Sequence, residues 1–234
     1  MTETQIDRRL LLGGLALAGS AAAATAAPAQ PAAPAGGFNP QPQPLPFDPK
    51  AVPGLSEKLL VSHHDNNYVG AVKRIGAIRA AFGKLDLATA PGFEINGLKR
   101  EELLAWNSMI LHEVYFAGFG PAAPASPALA QALERDFGSH DRWAAEFSAM
   151  GKALGGGSGW VLLTYSRHDG RLVNSWAADH TMTVANGAPI LALDMYEHAY
   201  AMDYGAKAGG YVDAFMKAFS WRGANEALRR AGAA

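Results

Sequence analysis

The sequence predicts an α+β fold, in which an N-terminal antiparallel α-hairpin precedes a C-terminal α/β domain with a three-stranded antiparallel sheet. Apolar residues recur at helical spacing in two segments, residues 56–82 and 98–117. Two short apolar runs flank the turn sequence His168-Asp169-Gly170, which is typical of a β-hairpin. A third run, Ile190 to Leu193, has the length of a short buried strand.

Composition narrows the classes of protein that this chain can be. Its 234 residues are 49% hydrophobic and 18% charged, which fits one globular unit or two small, tightly packed ones. The net charge of −1 gives no indication of a nucleic-acid or anionic-membrane partner. Because the chain has no cysteine, disulfides, thiolate chemistry and cysteine-ligated zinc are excluded.

Residues 1–26 have the pattern of an export signal. Arg8 and Arg9 precede an uncharged run, Leu10 to Ala24, and Ala24-Thr25-Ala26 fits a cleavage site. The paired arginines predict the twin-arginine route, which exports folded proteins, and therefore a periplasmic or secreted location. An ordinary export signal or a membrane anchor is the alternative, although the run is short for a membrane span. No membrane contact is expected after removal of the signal.

The remainder of the chain divides into a tether and two predicted domains. Proline, alanine, glutamine and glycine dominate residues 27–46, which we expect to be a disordered tether. Residues 47–120 contain the helical hairpin, with a loop at residues 83–97 between its helices. A glycine- and proline-rich linker follows, and residues 126–234 form the C-terminal domain. Its helices begin at N-cap residues such as Ser126.

The end of the third apolar run carries a candidate metal ligand. Asp194 follows this run directly, and an ionised carboxylate is costly to bury without a partner. His198 lies four residues later, so the two side chains can converge on a metal ion. The alternative is a capping aspartate and a surface histidine. His112, inside the apolar face of the second helix, would by itself be interpreted as a core histidine.

Residues Asp194 to Tyr200, D-M-Y-E-H-A-Y, resemble the signature D-x-W-E-H-A-Y of the iron/manganese superoxide dismutases, with Tyr196 in place of tryptophan. The resemblance extends from about Leu55 to Ala227. The sequence around His112, I-L-H-E-V-Y-F, is similar to the family's second ligand motif, N-H-x-F-[FY]-W. The resemblance therefore implies His112, Asp194 and His198 as ligands, together with one histidine of the first helix.

The first helix leaves two candidates for the remaining ligand. In the family a leucine-serine pair precedes the ligand histidine by seven residues, which points from Ser56 to His63. A second histidine then follows after four residues and a tyrosine after eight, whereas Tyr68 comes only five residues after His63. Counting back from Tyr68 favours His64 instead. We predict His63, with His64 as the alternative, and the family's channel histidine as missing.

The resemblance also implies which groups surround the ligands. The G-S-G-W motif makes Trp160 a wall of the metal pocket. His180 stands where the family has a glutamine or histidine that hydrogen-bonds the solvent on the metal, although Asp179 or a plain polar loop residue is possible. The resemblance implies that Tyr68 and His180 surround the metal and are the candidate catalytic residues. Glu197 corresponds to the glutamate that reaches a ligand histidine of the other subunit, so a homodimer or a dimer of dimers is expected.

The resemblance implies a superoxide dismutase with one iron or manganese ion per subunit, which converts superoxide to O2 and H2O2. Three imidazoles and one carboxylate by themselves suit iron, manganese or zinc, and the family uses iron or manganese. Ala201 replaces a tyrosine that, in the family, pairs with the channel histidine across the dimer. The altered first helix and this substitution support an alternative, a metal-binding or structural family member with little or no dismutase activity.

Overall fold

Two antiparallel helical arms form the first half of the described chain, residues 39–232 of this computed structural model. The first arm contains α1 (Glu57–Ser62), a π-helical turn (His63–Tyr68) and α2 (Val69–Phe82). The second arm is α3 (Gly92–Ala117), which runs back along the first. The predicted hairpin of helices is therefore confirmed.

The first arm is not the continuous α-helix that the periodicity of residues 56–82 predicts. Ser56 caps it as expected, because its hydroxyl accepts a hydrogen bond from the amide of Leu59. Between His63 and Tyr68, however, the hydrogen bonds run to the fifth residue instead of the fourth. A hydrophobic pattern over a whole helix does not reveal such a local change, since the flanking turns keep the ordinary period.

The second arm begins six residues earlier than residue 98, where the apolar pattern places its start. The prediction that residues 83–97 form a loop is therefore wrong for residues 92–97. Pro91 precedes the helix, and its carbonyl accepts hydrogen bonds from the amides of Glu94 and Ile95. Glycine at positions 92 and 97 lowers intrinsic helix propensity, which hides this first turn and a half in the sequence.

Two capped helices open the second half. They are α4 (Pro127–Phe137) and α5 (His140–Ala153), with Ser126 and Ser139 as their N-caps. Both starts agree with the sequence-based prediction.

Three strands form one antiparallel sheet in the order β2-β1-β3. They are β1 (Trp160–Ser166), β2 (Arg171–Ala177) and β3 (Gly187–Asp194). The central strand β1 is buried along nearly its whole length, as the apolar run predicts. The register pairs Trp160 with Asp194, so the first residue of β1 lies beside the last residue of β3.

The position of this pair depends on Gly159. Its φ of +131° is rare for residues with a side chain, and a Cβ atom there would lie 2.2 Å from the carbonyl oxygen of Ala177. Its carbonyl also accepts a hydrogen bond from the amide of Met195, just after Asp194. Glycine is therefore required where the chain enters β1.

The chain ends with short helical segments packed near the sheet. A 3-10 turn (Glu197–Ala199) carries His198. It is followed by α6 (Ala201–Tyr204), α7 (Ala208–Ala218) and α8 (Trp221–Arg230). The last two agree with the predicted C-terminal helices.

One hydrophobic core connects the helical arms to the sheet, so the two predicted domains share it. Helix α3 packs directly on β3, and this contact brings the second arm to Asp194. Among residues 39–232, no helix is both long and apolar enough to span a bilayer.

The last residues of the predicted tether are ordered against the fold, which differs from the disorder expected for them. The signal at residues 1–26 and tether residues 27–38 lie outside the described residues. Near the end of the tether, Leu45 packs against the core and the backbone of Gln43 hydrogen-bonds to the first helical arm. Composition alone suggested disorder here, because it does not reveal backbone hydrogen bonds to partners distant in sequence.

Candidate metal centre

Four side chains from four parts of the fold meet at one point. His63 comes from the π-helical turn, His112 from α3, Asp194 from the end of β3 and His198 from the 3-10 turn that follows. One potential ligand atom from each lies within 4.8 Å of all the others. These are the four ligands that the resemblance implies.

Asp194 is at the centre of the cluster. Its Oδ2 lies 3.1 Å from Nε2 of His63, 3.1 Å from Nε2 of His198 and 3.7 Å from Nε2 of His112. Its other oxygen, Oδ1, accepts a 2.9 Å hydrogen bond from the amide of Tyr196. This second contact fixes the carboxylate, so that Oδ2 faces the three imidazoles.

Burial sets the protonation states. Burial lowers the pKa of His112 to about 3 and also lowers the pKa of His63, in spite of its hydrogen bond to Asp194. Burial alone would raise the pKa of Asp194, but hydrogen bonds from His198 and His63 lower it well below its usual range. The cluster thus holds an ionised carboxylate beside two neutral imidazoles, which is the protonation state that metal binding requires.

One nitrogen atom of the cluster, Nε2 of His112, supports a cation at this point. Nδ1 of His112 donates a 2.6 Å hydrogen bond to the carbonyl of Ser108, so the neutral ring has a bare lone pair on Nε2. Within residues 39–232, this Nε2 and Nδ1 of His63 are buried side-chain atoms without a hydrogen-bond partner. A buried lone pair directed at a carboxylate is unfavourable by itself, and a metal ion between them removes the conflict.

His63 belongs to the cluster of four side chains, whereas His64 does not. His63 is buried, and its ring centroid lies 5.0 Å from that of His112 and 4.7 Å from that of His198. His64 faces elsewhere, with Nε2 2.8 Å from the carbonyl of Gln43 and Nδ1 2.7 Å from Asp65.

Tyr68, a predicted catalytic residue, makes its hydrogen bonds outside the four-ligand cluster. Its hydroxyl donates to Glu113 at 2.9 Å and accepts from the amide of Gln43 at 2.9 Å. The buried ring of Phe116 packs against both Tyr68 and His63. Its catalytic role therefore stays a prediction.

His180 does lie beside the cluster, as predicted, at 6.3 Å from His112 between ring centroids. Its Nδ1 accepts a 2.9 Å hydrogen bond from the indole N–H of Trp160. Because an indole can only donate, Nδ1 carries no proton, and a neutral His180 holds its proton on Nε2. Burial lowers the pKa of His180, which favours this neutral form. Asp179, the alternative, is instead bonded to Thr181.

The face of the cluster near His198 is the most open. The His198 side chain is 27% exposed, whereas those of the other three ligands are at most 1% exposed. Tyr196 stacks on His198 at 5.5 Å and on His180 at 5.0 Å. Glu197 is exposed in the single chain.

Sequence reasoning missed three contributors to this site. They are Phe116, Glu113 and Gln43, and the last lies within the segment predicted as a tether. The only sequence signal for Glu113 is its position directly after a ligand on α3. Gln43 gives no comparable signal, since its contacts are made by its backbone.

Comparison with known proteins gives the family. A profile described as "iron/manganese superoxide dismutases, C-terminal domain" matches residues 124–227. The chain is 66% identical over 180 residues to an iron superoxide dismutase of Cupriavidus metallidurans. This alignment covers 77% of the chain and 91% of the relative. It belongs to the iron/manganese superoxide dismutase family.

More distant members of the family have either metal in their names. A manganese superoxide dismutase of Halobacterium salinarum is 34% identical over 192 residues, covering 80% of this chain and 94% of the relative. An iron superoxide dismutase of Aquifex aeolicus is 31% identical over 191 residues, and this alignment covers 78% of this chain and 88% of the relative. The resemblance identified from the short motifs is thus confirmed over most of the chain.

Proposed function

We propose that this protein is a superoxide dismutase that uses one iron or manganese ion held by His63, His112, Asp194 and His198. Two superoxide anions and two protons are converted to one O2 and one H2O2. The bound metal supplies two oxidation states that differ by one electron. The observation that carries this proposal is the convergence of these four side chains, with a buried, unpartnered Nε2 on His112.

The surrounding residues would hold the ligands in place. The carbonyl of Ser108 fixes the His112 ring with Nε2 toward Asp194, and the amide of Tyr196 fixes the Asp194 carboxylate. Phe116 and Trp160, both nearly inaccessible to solvent, exclude bulk water from the buried side. His180 holds a proton on Nε2, and the indole of Trp160 maintains that tautomer.

The experiment that tests this proposal joins two measurements on purified protein. The metal content per chain should approach one iron or manganese ion, and superoxide removal should rise with that content. Asp194→Ala, His112→Ala and His198→Ala should each abolish stoichiometric metal binding. Full metal content without superoxide removal would favour the alternative, a metal-binding protein with little dismutase activity.

The open face near His198 supports a dimer of this chain. Glu197 is exposed beside this partly exposed ligand, and a twofold axis there would bring the Glu197 carboxylate of each chain to His198 of the other. Such a contact would support His198 through Nδ1, because Nε2 faces Asp194. Glu197→Ala should then weaken the dimer in sedimentation experiments, and an unchanged dimer would contradict this arrangement.

The N-terminal sequence supports export in the folded state. Arg8 and Arg9 precede the uncharged run that ends in a candidate cleavage site. This route would allow a metal to be loaded before export to the periplasm or the medium. Replacement of both arginines by lysine should trap an uncleaved precursor in the cytoplasm, whereas normal export of that variant would exclude the route.

A further inference from the structure

A line of tyrosines extends from the metal cluster toward the surface of the protein. Its members are Tyr115 of α3, Tyr211 of α7 and Tyr204 of α6, and we call them the tyrosine chain. Tyr115 and Tyr211 are fully buried, whereas Tyr204 is partly exposed. None of the three belongs to the cluster of four ligands, so the proposed function gives them no part.

Tyr115 forms the inner end of the tyrosine chain. Its ring centroid lies 4.9 Å from that of the ligand His63. Its hydroxyl accepts a 3.4 Å hydrogen bond from the hydroxyl of Tyr211. Tyr115 therefore adjoins a ligand with its ring and a second phenol with its hydroxyl.

Tyr204 forms the outer end. Its ring centroid lies 6.2 Å from that of Tyr211, and its hydroxyl donates to the carbonyl of Gly54. Tyr200 also stacks on Tyr211, at 5.6 Å between ring centroids, but it is only 3% exposed. The contacts of the tyrosine chain thus connect His63 with a partly exposed phenol through two buried ones.

The two buried hydroxyls are not explained by stability. The hydrogen bond between them is long for an O–H···O contact, so it offsets only a small part of the cost of burying a polar group. Phenylalanine rings already pack against Tyr115, namely those of Phe116, Phe119 and Phe215. What a phenol adds to such a ring, besides polarity, is that it gives up one electron and one proton far more readily.

An electron from a side chain is needed when H2O2, the product of the proposed reaction, meets ferrous iron. H2O2 accepts two electrons when its O–O bond breaks, and ferrous iron supplies only one of them in becoming ferric. The second electron is otherwise taken from the nearest side chains, which at this site are the ligands themselves. Oxidation of a ligand would release the metal.

We propose that the tyrosine chain supplies this second electron and thereby keeps oxidative damage away from the ligands. H2O2 takes one electron from ferrous iron, and one electron with one proton from Tyr115. The products are hydroxide, water, ferric iron and a neutral tyrosyl radical. Tyr211 then passes a hydrogen atom to Tyr115 along the hydrogen bond in which its hydroxyl is the donor. Tyr204 restores Tyr211 with one electron and one proton, so the radical ends at the surface. This inference rests on the proposed function.

Two other aromatic side chains compete for this role. Trp160 lies 5.3 Å from the ligand His112, and Tyr196 lies 5.5 Å from the ligand His198, between ring centroids. The indole of Trp160 has its one N–H bonded to His180. Within residues 39–232, Tyr196 contacts no second tyrosine ring. The tyrosine chain differs from both, because further phenols continue from its inner end.

The test follows the radical itself in the iron-loaded protein. Iron content and superoxide removal are measured first, because failure there refutes the proposed function, and a protein without iron would overturn both proposals. The ferrous protein is then mixed with H2O2 and frozen rapidly for electron paramagnetic resonance. A tyrosyl signal that narrows with ring-deuterated tyrosine is expected. No radical, or a tryptophanyl radical in its place, would overturn the proposed role.

Single substitutions separate the members of the tyrosine chain. Tyr115→Phe should remove the tyrosyl signal. Tyr211→Phe should keep a signal but prevent its transfer to Tyr204, where a nitroso spin trap and mass spectrometry detect it in the unmodified protein. Tyr165→Phe is the control, since that tyrosine lies on β1. A signal that survives Tyr115→Phe, or a Tyr204 adduct that survives Tyr211→Phe, would contradict the proposal.

The double variant Tyr115→Phe/Tyr211→Phe keeps the test decisive if a single substitution prevents iron loading. Replacing both partners of a buried hydrogen bond by apolar groups of the same shape can be nearly neutral, so this variant should hold iron. It should show no tyrosyl signal and should lose iron faster than Tyr165→Phe during repeated exposure to H2O2. Equal rates of iron loss would show that the tyrosine chain does not protect the ligands.

Discussion

The hydroxyl of Tyr68 donates a 2.9 Å hydrogen bond to Oε1 of Glu113. Burial raises the pKa of Tyr68 to about 12, so this phenol stays protonated at neutral pH. Its second contact, with the amide of Gln43, links the first helical arm to the segment that precedes it. These two contacts join Tyr68 to α3 and to the segment before the first helical arm.

Tyr68→Phe should retain dismutase activity while it lowers stability. The free energy of unfolding should fall by about 1–3 kcal/mol, because two partly buried hydrogen bonds are lost. Tyr165→Phe is the control, since that hydroxyl makes no hydrogen bond within residues 39–232. Denaturant unfolding and a superoxide assay at equal metal content measure both effects. Loss of most activity at full metal content would restore the catalytic role that the motif predicts.

His63→Ala and His64→Ala should differ sharply in metal content. The first removes a ligand from the buried cluster, and the protein should lose stoichiometric iron or manganese. The second removes contacts with Gln43 and Asp65 only, so metal should remain. Elemental analysis of the two purified variants makes the comparison. Retention of metal by His63→Ala would contradict the assignment.

The π-helical turn explains why sequence could not decide between these two histidines. In an α-helix, positions five apart point about 140° away from each other, so His63 and Tyr68 seem incompatible with one shared face. A turn with hydrogen bonds to the fifth residue brings such positions closer in direction. Counting back from Tyr68 assumes a regular helix and therefore favoured His64, whereas the motif spacing from Ser56 pointed to His63.

The strands, the caps and the two ligands at the end of β3 and just after it were predictable for simpler reasons. Short buried strands, N-cap serines and a carboxylate at the end of an apolar run are local features, which short sequence windows contain. Asp194 and His198 are only four residues apart. The hydrogen bonds of Gln43 and the position of Phe116 depend instead on contacts between distant segments.

The metal-free protein should lose stability as the pH falls below about 6.5, the pKa of an ordinary histidine. Burial lowers the pKa of His112 to about 3 and also lowers that of His63, so the unfolded chain binds more protons in this range. The free energy of unfolding should fall by about 1.4 kcal/mol per pH unit for each such proton. The depressed pKa of Asp194 adds stability that is lost at still lower pH.

Denaturant unfolding between pH 7 and pH 4 measures this slope. His112→Asn should reduce it, because one buried neutral imidazole is removed. His140→Asn is the control, since the His140 side chain is 53% exposed. A slope that His112→Asn leaves unchanged would contradict the protonation states assigned here.

Trp160→Phe should lower dismutase activity by roughly tenfold or more, since loss of a group that orients the residues around a metal has effects of this size. The substitution removes the indole N–H that fixes the tautomer of His180. Trp143→Phe is the matched control, because that indole donates to Asn174, outside the metal cluster. The comparison needs equal metal content and a full pH profile. Equal losses in both variants would show that only packing is affected.

The most direct test of the account is pulse radiolysis with the iron- or manganese-loaded protein. Superoxide decay should accelerate in proportion to the metal bound, and Asp194→Ala treated with the same metal should give no acceleration above metal-free protein. If the loaded protein removes superoxide no faster than an equal amount of metal-free protein, dismutase activity is excluded and a metal-binding role is left.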